Sequence, residues 1–329
     1  MNEGFHYILK RIFLLLITML LVSFLTFLAF ELVSGDPART MLGIEATAQQ
    51  VADLRHQLGL DRPCLTRYFS WLGGFFSGNL GISYSYRQPV WSLISSKLEL
   101  TLWLSLMSFV LIAVISIPLG IFSYRFTGGF WDWPRTALNQ LCMAVLPFFT
   151  GILFSWGFGI VLRLFTPGDF PGLRNAFAES LRHLFFGAVC LSIPRIAMTV
   201  RMLRATVISE MNKAYVRTAI SRGNDRRSVL VRHVLKNSLV SVVTFLGQTL
   251  AELVGAGIVV EQVLGIPGLG RFLVTSISHR DYPVVQAIVV ILAFWVVLAG
   301  TIADLINQAI DPRLRVSSGA SARLGGGAA

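Results

Sequence analysis

Tyr215-Val216-Arg217-Thr218-Ala219-Ile220-Ser221-Arg222-Gly223-Asn224-Asp225, continuing to Arg232-His233-Val234-Leu235-Lys236-Asn237, is the passage on which the fold turns. Polar and apolar residues alternate at helical period on both sides of Gly223, and Asn224-Asp225 supplies a cap for the second piece. The passage therefore reads as helix, glycine turn, helix. Residues 201–236 carry nine basic side chains against two acids, Glu210 and Asp225. Apolar runs at 184–208 and 239–260 flank it, and each meets the roughly 20 residues that a helix needs to cross hydrocarbon. A basic helical hairpin strung between two such runs fits the cytoplasmic face of a polytopic membrane protein.

The rest of the chain agrees. Of 329 residues, 54% are hydrophobic and 14% charged, with a mean hydropathy of +0.67, which excludes a soluble enzyme, a disordered chain and a secreted disulfide scaffold. Further runs at 12–33, 100–123, 136–165 and 283–306 make six expected spans, since backbone amides in lipid must be satisfied within the helix. The first run is too long for a signal-peptide core and is read as a retained span. The fourth carries Arg195 inside it and Arg201 and Arg204 at its end. With the N-terminus inside, the cytoplasmic segments hold 16 Lys and Arg and the longer external ones 10, so both termini are expected in the cytoplasm. The long segment 34–99 is expected outside as a cap, with an amphipathic helix at 49–60 carrying Val51, Leu54 and Leu58 at helical spacing.

A search for chemistry finds little. No Gly-x-Ser-x-Gly elbow or His-Glu-x-x-His occurs, and the five histidines are scattered. None of the four lysines follows a glycine, so there is no Walker A phosphate cradle. Cys64, Cys142 and Cys190 are far apart and suggest neither a disulfide framework nor a metal cluster. The basic loop lacks the interleaved aromatics of a nucleic-acid surface and is fastened to a membrane. Taken by residue type alone, it is equally a surface obeying the positive-inside rule. Glu252 and Arg195 lie at similar depth in antiparallel spans and can pair, either as a structural ion pair or beside a water-filled route.

Tyr215 to Ala219, then Gly223, Arg232-His233 and Asn237, resembles the cytoplasmic coupling loop of permease subunits in binding-protein-dependent ABC importers, in the dipeptide, oligopeptide and nickel class. Gly35-Asp36-Pro37, Leu58-Gly59-Leu60-Asp61-Arg62-Pro63 with Tyr68 and Trp71, Asn79-Leu80-Gly81-Ile82-Ser83 and Pro118-Leu119-Gly120 follow in that class's order. So do Gly265-Ile266-Pro267-Gly268-Leu269-Gly270-Arg271, Arg280-Asp281-Tyr282-Pro283-Val284 and Asp311-Pro312-Arg313. The chain departs from the general loop at Arg217-Thr218-Ala219, where Glu-Ala-Ala is usual, and has Ser241 where the class usually has proline, which implies a less kinked fifth helix.

The resemblance implies an all-α, six-span fold of type I importer permease architecture. Residues 1–99 would be a first helix with an external cap, 100–315 a five-helix core with a coupling loop at about 209–237, and 316–329 a disordered tail. Tyr215, Ala219, Arg222, Gly223, Arg226 and Arg227 would engage a cytoplasmic ATPase, while Gly265, Pro267, Gly268 and Gly270 would shape an external gate. Glu252 and Arg195 would lie by the translocation route. The implied assembly has a second, homologous permease, two ATPase subunits holding ATP and Mg, and an extracytoplasmic solute-binding protein, in a bacterial or archaeal plasma membrane and among its lipids. This chain itself would hold no metal or cofactor, bind no nucleic acid and catalyse no covalent reaction. The implied cargo is a di- or oligopeptide. Nickel or a metal chelate is the alternative, because Glu252-Leu253-Val254-Gly255 is similar to the metal branch. A membrane-embedded enzyme or a secondary transporter would need a clustered set of reactive groups or an inverted repeat.

Overall fold

The computed structural model describes residues 2–33, 42, 46–57, 59, 61–173 and 176–310. Gly35-Asp36-Pro37, Leu58, Leu60, Asp311-Pro312-Arg313 and the tail 316–329 lie outside the described residues.

The described chain is helical, with one isolated bridge between Ile82 and Pro89. Eleven helices are named here in chain order. They are α1 Asn2–Val33, α2 Ala48–Gln57, α3 Cys64–Phe76 and α4 Val90–Arg125, then α5 Asp132–Ala144, α6 Pro147–Val161 and α7 Phe177–Met211. After these come α8 Ala214–Ser221, α9 Arg226–Leu264, α10 Leu269–Ser278 and α11 Tyr282–Ile310. Helices α1, α4, α7, α9 and α11 contain stretches long and apolar enough to cross a bilayer, and α5 with α6 makes six if that pair is one span.

That pair lies largely in the run 136–165, expected to hold one span, and its two helices meet at 93°. Pro147 has no amide hydrogen to donate, and its ring pushes Leu146 out of the helical region, to φ −76° and ψ 141°. Beyond Phe154 the helix widens to a π turn over Ser155–Val161, and the chain turns out at Arg163 with φ 51°.

Contacts divide the described chain into two compact units. One comprises the residues up to Trp103 together with Gly265–Val297, and the other Leu104–Leu264 together with those from Leu298 onward. In the first, α3 is fastened to α1 by Tyr68, whose hydroxyl lies 2.8 Å from Ser23 Oγ between the rings of Phe24 and Phe27. Helix α2 starts in a reciprocal cap: the Thr47 amide donates to Gln50 Oε1 at 3.0 Å and the Gln50 amide to Thr47 Oγ1 at 3.4 Å. Running from Ala48 to Gln57, it covers 49–57 of the amphipathic stretch expected at 49–60, with Val51 buried.

The second unit is built on α7 and α9, with α5 and α6 packed against them. Helices in lipid gain little from the hydrophobic effect between them and associate through close packing of small residues. Gly247 does this here, since a Cβ on it would collide with Ala303. At Gly120 a Cβ would lie 2.6 Å from Leu203 Cδ2. Arg204, at the end of the fourth apolar run, locks α7 to the start of α5. It lies 2.6 Å from Asp132 and donates to Thr136 Oγ1 at 3.1 Å.

Candidate functional site

Helix α8 is short and amphipathic: Val216 is buried, while Tyr215, Arg217, Ile220 and Ser221 are exposed. It ends because Gly223 takes φ +86°, a left-handed conformation that costs an ordinary residue roughly 1–2 kcal/mol. The turn closes with the Gly223 amide donating to Ile220 O at 2.9 Å and the Asn224 side chain to Ala219 O at 3.1 Å. Asp225 then caps α9 by accepting from the Arg227 amide at 3.2 Å, as the Asn-Asp pair predicted. Val229, Leu230 and Val234 bury one side of the new helix. Arg222, Gly223, Arg226 and Arg227 remain exposed, and Ala219 is half-buried. Nothing lies within 4 Å of a Cβ built on Gly223. The result is a firm knob with a basic, unobstructed tip.

The base of the knob holds a group that sequence reading passed over. Glu210, in the last turn of α7, is 9% exposed. It pairs with Lys213 and accepts from the Tyr215 hydroxyl at 2.8 Å. Asn237, about three turns into α9, donates to that same hydroxyl at 3.4 Å. Burial, and then the bond to Glu210, push the Tyr215 phenol above its ordinary value. The network ties the helix entering the knob to the helix leaving it. Its one sequence signal was an acid five residues before Tyr215 in a stretch otherwise almost wholly basic.

The segment Gly265 to Gly270 joins α9 to α10. Gly265 turns with φ +72°, and Gly268 is extended. Gly265, Gly268 and Gly270 are buried, Pro267 is half-buried, and Ile266 is fully enclosed. Arg271 donates to Gly265 O at 2.6 Å, and the Leu269 amide donates to Thr101 Oγ1 at 2.8 Å. The loop is thus pinned at both ends. Nearby, two stretches quoted separately from the sequence come together. Asp281 is 0% exposed, accepts the Ser83 hydroxyl, and takes backbone amides from Tyr84 at 3.0 Å and Ser85 at 3.3 Å. Sequence alone had no means of joining residues almost 200 positions apart.

Arg195 and Glu252 stand 2.5 Å apart, with side chains 27% and 54% exposed. They form an ion pair with one open side. The described residues thus offer a basic knob, a pinned glycine loop and an ion pair with one open side.

Comparison with known proteins follows the same lines. The family described as binding-protein-dependent transport system inner membrane component matches residues 116–316, and its N-terminal counterpart matches 4–105. A protein of Sinorhizobium fredii named probable peptide ABC transporter permease is 32% identical, over 94% of this chain and 99% of its own length. A glutathione transport system permease of Salmonella typhi is 34% identical, over 94% and 99%. The inward-facing MetNI methionine ABC transporter superposes with a TM-score of 0.53 at 19% identity, covering 67% of this chain and 96% of that one, a likeness of fold.

Proposed function

The chain belongs to the inner membrane components of binding-protein-dependent transport systems, the permeases of ABC importers, and from that premise we propose that it couples ATP use in a separate subunit to uptake of peptides. The knob around Gly223 carries this reading: it is exposed, basic and fixed at its base by Glu210, Lys213 and Tyr215. Orientation follows from the charge bias, with the knob and both termini in the cytoplasm. Two ATPase subunits hold ATP and Mg. The knob seats in a cleft of one of them, with Arg222, Arg226 and Arg227 facing acidic groups and Tyr215, Ala219 and Gly223 in close contact. Closure of the ATPase dimer then moves α8, and the Glu210 network passes that motion into α7 and α9 together.

A second, similar permease completes the pathway, and a solute-binding protein delivers cargo on the opposite side. There the loop Gly265, Pro267, Gly268 and Gly270 serves as an outer gate element, and Glu252 with Arg195 borders the route. Relatives named for peptide and for glutathione transport support a peptide cargo.

The test is Gly223→Asp in the assembled importer. No neighbour within this chain obstructs a side chain there, and the left-handed φ of +86° costs the new residue only roughly 1–2 kcal/mol, so insertion should be normal. Uptake and stimulated ATP hydrolysis should both be lost. Normal uptake by a stably inserted variant would sink the coupling assignment.

A further inference from the structure

The second unit holds a cavity of about 540 Å³ where the end of α4, the end of α7 and the start of α9 meet. Three arginines from two of these elements line it, Arg125 from α4 and Arg226 and Arg227 from α9, and no acid is among its lining residues. Tyr124, Thr127 and Asn212 add neutral hydrogen-bonding groups. Ile208, Met211 and Leu230 make the remaining wall apolar. Such a mixture suits an amphiphile with an anionic head more than a fully hydrated ion.

Its level in the bilayer has an independent marker. The turn that follows α4, and which contributes Thr127, leads into Phe130, Trp131 and Trp133, which are 89%, 61% and 80% exposed. Large aromatic side chains left this open beside a span end sit at the depth of lipid headgroups, where an apolar ring with a polar edge is best accommodated. Such a depth would bring the cavity mouth level with lipid phosphates. Arginine favours such groups, because its planar fork can donate two hydrogen bonds to one phosphate.

We propose that this cavity is a binding site for the phosphodiester headgroup of an anionic phospholipid, held by Arg125, Arg226 and Arg227, with the first acyl methylenes along the Ile208, Met211 and Leu230 wall. The lipid bridges a span end and the start of the knob helix, so its presence stiffens the knob. Arg125 is the residue to vary, since it lies outside the coupling loop.

The full chain in mild detergent is titrated with short-chain phosphatidylglycerol or phosphatidylcholine, and bound lipid is read by native mass spectrometry. Phosphatidylglycerol should bind more tightly, Arg125→Gln should weaken it about fivefold, as expected for one basic group at a charged lipid, and Arg232→Gln, which removes equal charge outside the cavity, should not. Arg125→Lys should retain part of the affinity. Equal binding of the two lipids, or equal loss in both Gln variants, overturns the proposal. Displacement by inorganic phosphate at concentrations similar to the lipid's assigns the site to free phosphate and also overturns it. The titration is made on the permease without its ATPase, because the coupling proposed above sets acidic groups of that partner against Arg226 and Arg227. The readout is binding alone, so it stands or falls apart from transport.

Discussion

Glu210 shows how much one side chain can decide. Lys213 and Tyr215 both turn toward it at the base of the knob. Glu210→Ala leaves Lys213 and the Tyr215 hydroxyl without their acceptor and should lower coupled ATPase activity and uptake several-fold while the chain still inserts. Tyr215→Phe removes two hydrogen bonds, the one to Glu210 and the one from Asn237, each worth about 1 kcal/mol, and should lower the melting temperature of the complex. The raised Tyr215 value also fixes a pH dependence. A phenol whose folded value exceeds the unfolded one, about 10, contributes its stabilisation fully below that pH and loses it only as pH climbs through the folded value. Between about pH 6 and 9 the melting difference between wild type and Tyr215→Phe should therefore be flat, and a slope in that window would contradict the assigned hydrogen bond. Asp281 is the counterpart beside the glycine loop. Asp281→Ala would leave the Ser83 hydroxyl and the amides of Tyr84 and Ser85 without their acceptor, at about 1–3 kcal/mol for each buried group left unpaired. A detergent melt should show a large drop, and Asp281→Asn, which keeps one acceptor oxygen, a smaller one.

At the scale of elements, the bend between α5 and α6 and the contact of α9 with α11 are the informative cases. Apolar length predicted a span at 136–165, and length is what hydropathy reports. It is blind to a proline that interrupts the hydrogen-bond ladder inside the run, although Pro147 was in view. The contact at Gly247 is different, because a glycine within a helix has no signature to say which partner comes close. Ala303 fills that space, so Gly247→Leu should overpack the contact by about 1–3 kcal/mol. The expected outcome is a shorter half-life in detergent for the assembled importer, and an unchanged half-life would mean that the two helices separate in solution without loss.

At the scale of the whole molecule the question is what a half-open charge pair does inside a transporter. Arg195 and Glu252 are in contact, but about half of the Glu252 side chain remains uncovered, and an uncovered charge within a span faces water or a partner rather than lipid. Exchanging the two residues, Arg195→Glu with Glu252→Arg, restores an ion pair with its polarity reversed. Insertion and thermal stability should return to near the parental level, whereas uptake should not. Full recovery of uptake would make the pair purely structural.

The class of molecule, the approximate spans, the charge bias and the basic helix-glycine-helix were all legible in the amino-acid order, because each rests on local composition and on periods of a few residues. A 20-residue apolar run and a glycine flanked by helical pattern carry their meaning wherever the chain goes. The tertiary structure alone joined Asp281 to Ser83, Arg204 to Asp132 and Glu210 to Asn237 through Tyr215. It also brought Arg125 to the same cavity as Arg226 and Arg227, about a hundred positions later. Those arrangements depend on which helix lies beside which, and in a chain whose spans are similarly apolar, composition assigns no partner; close packing of small residues and buried polar pairs does.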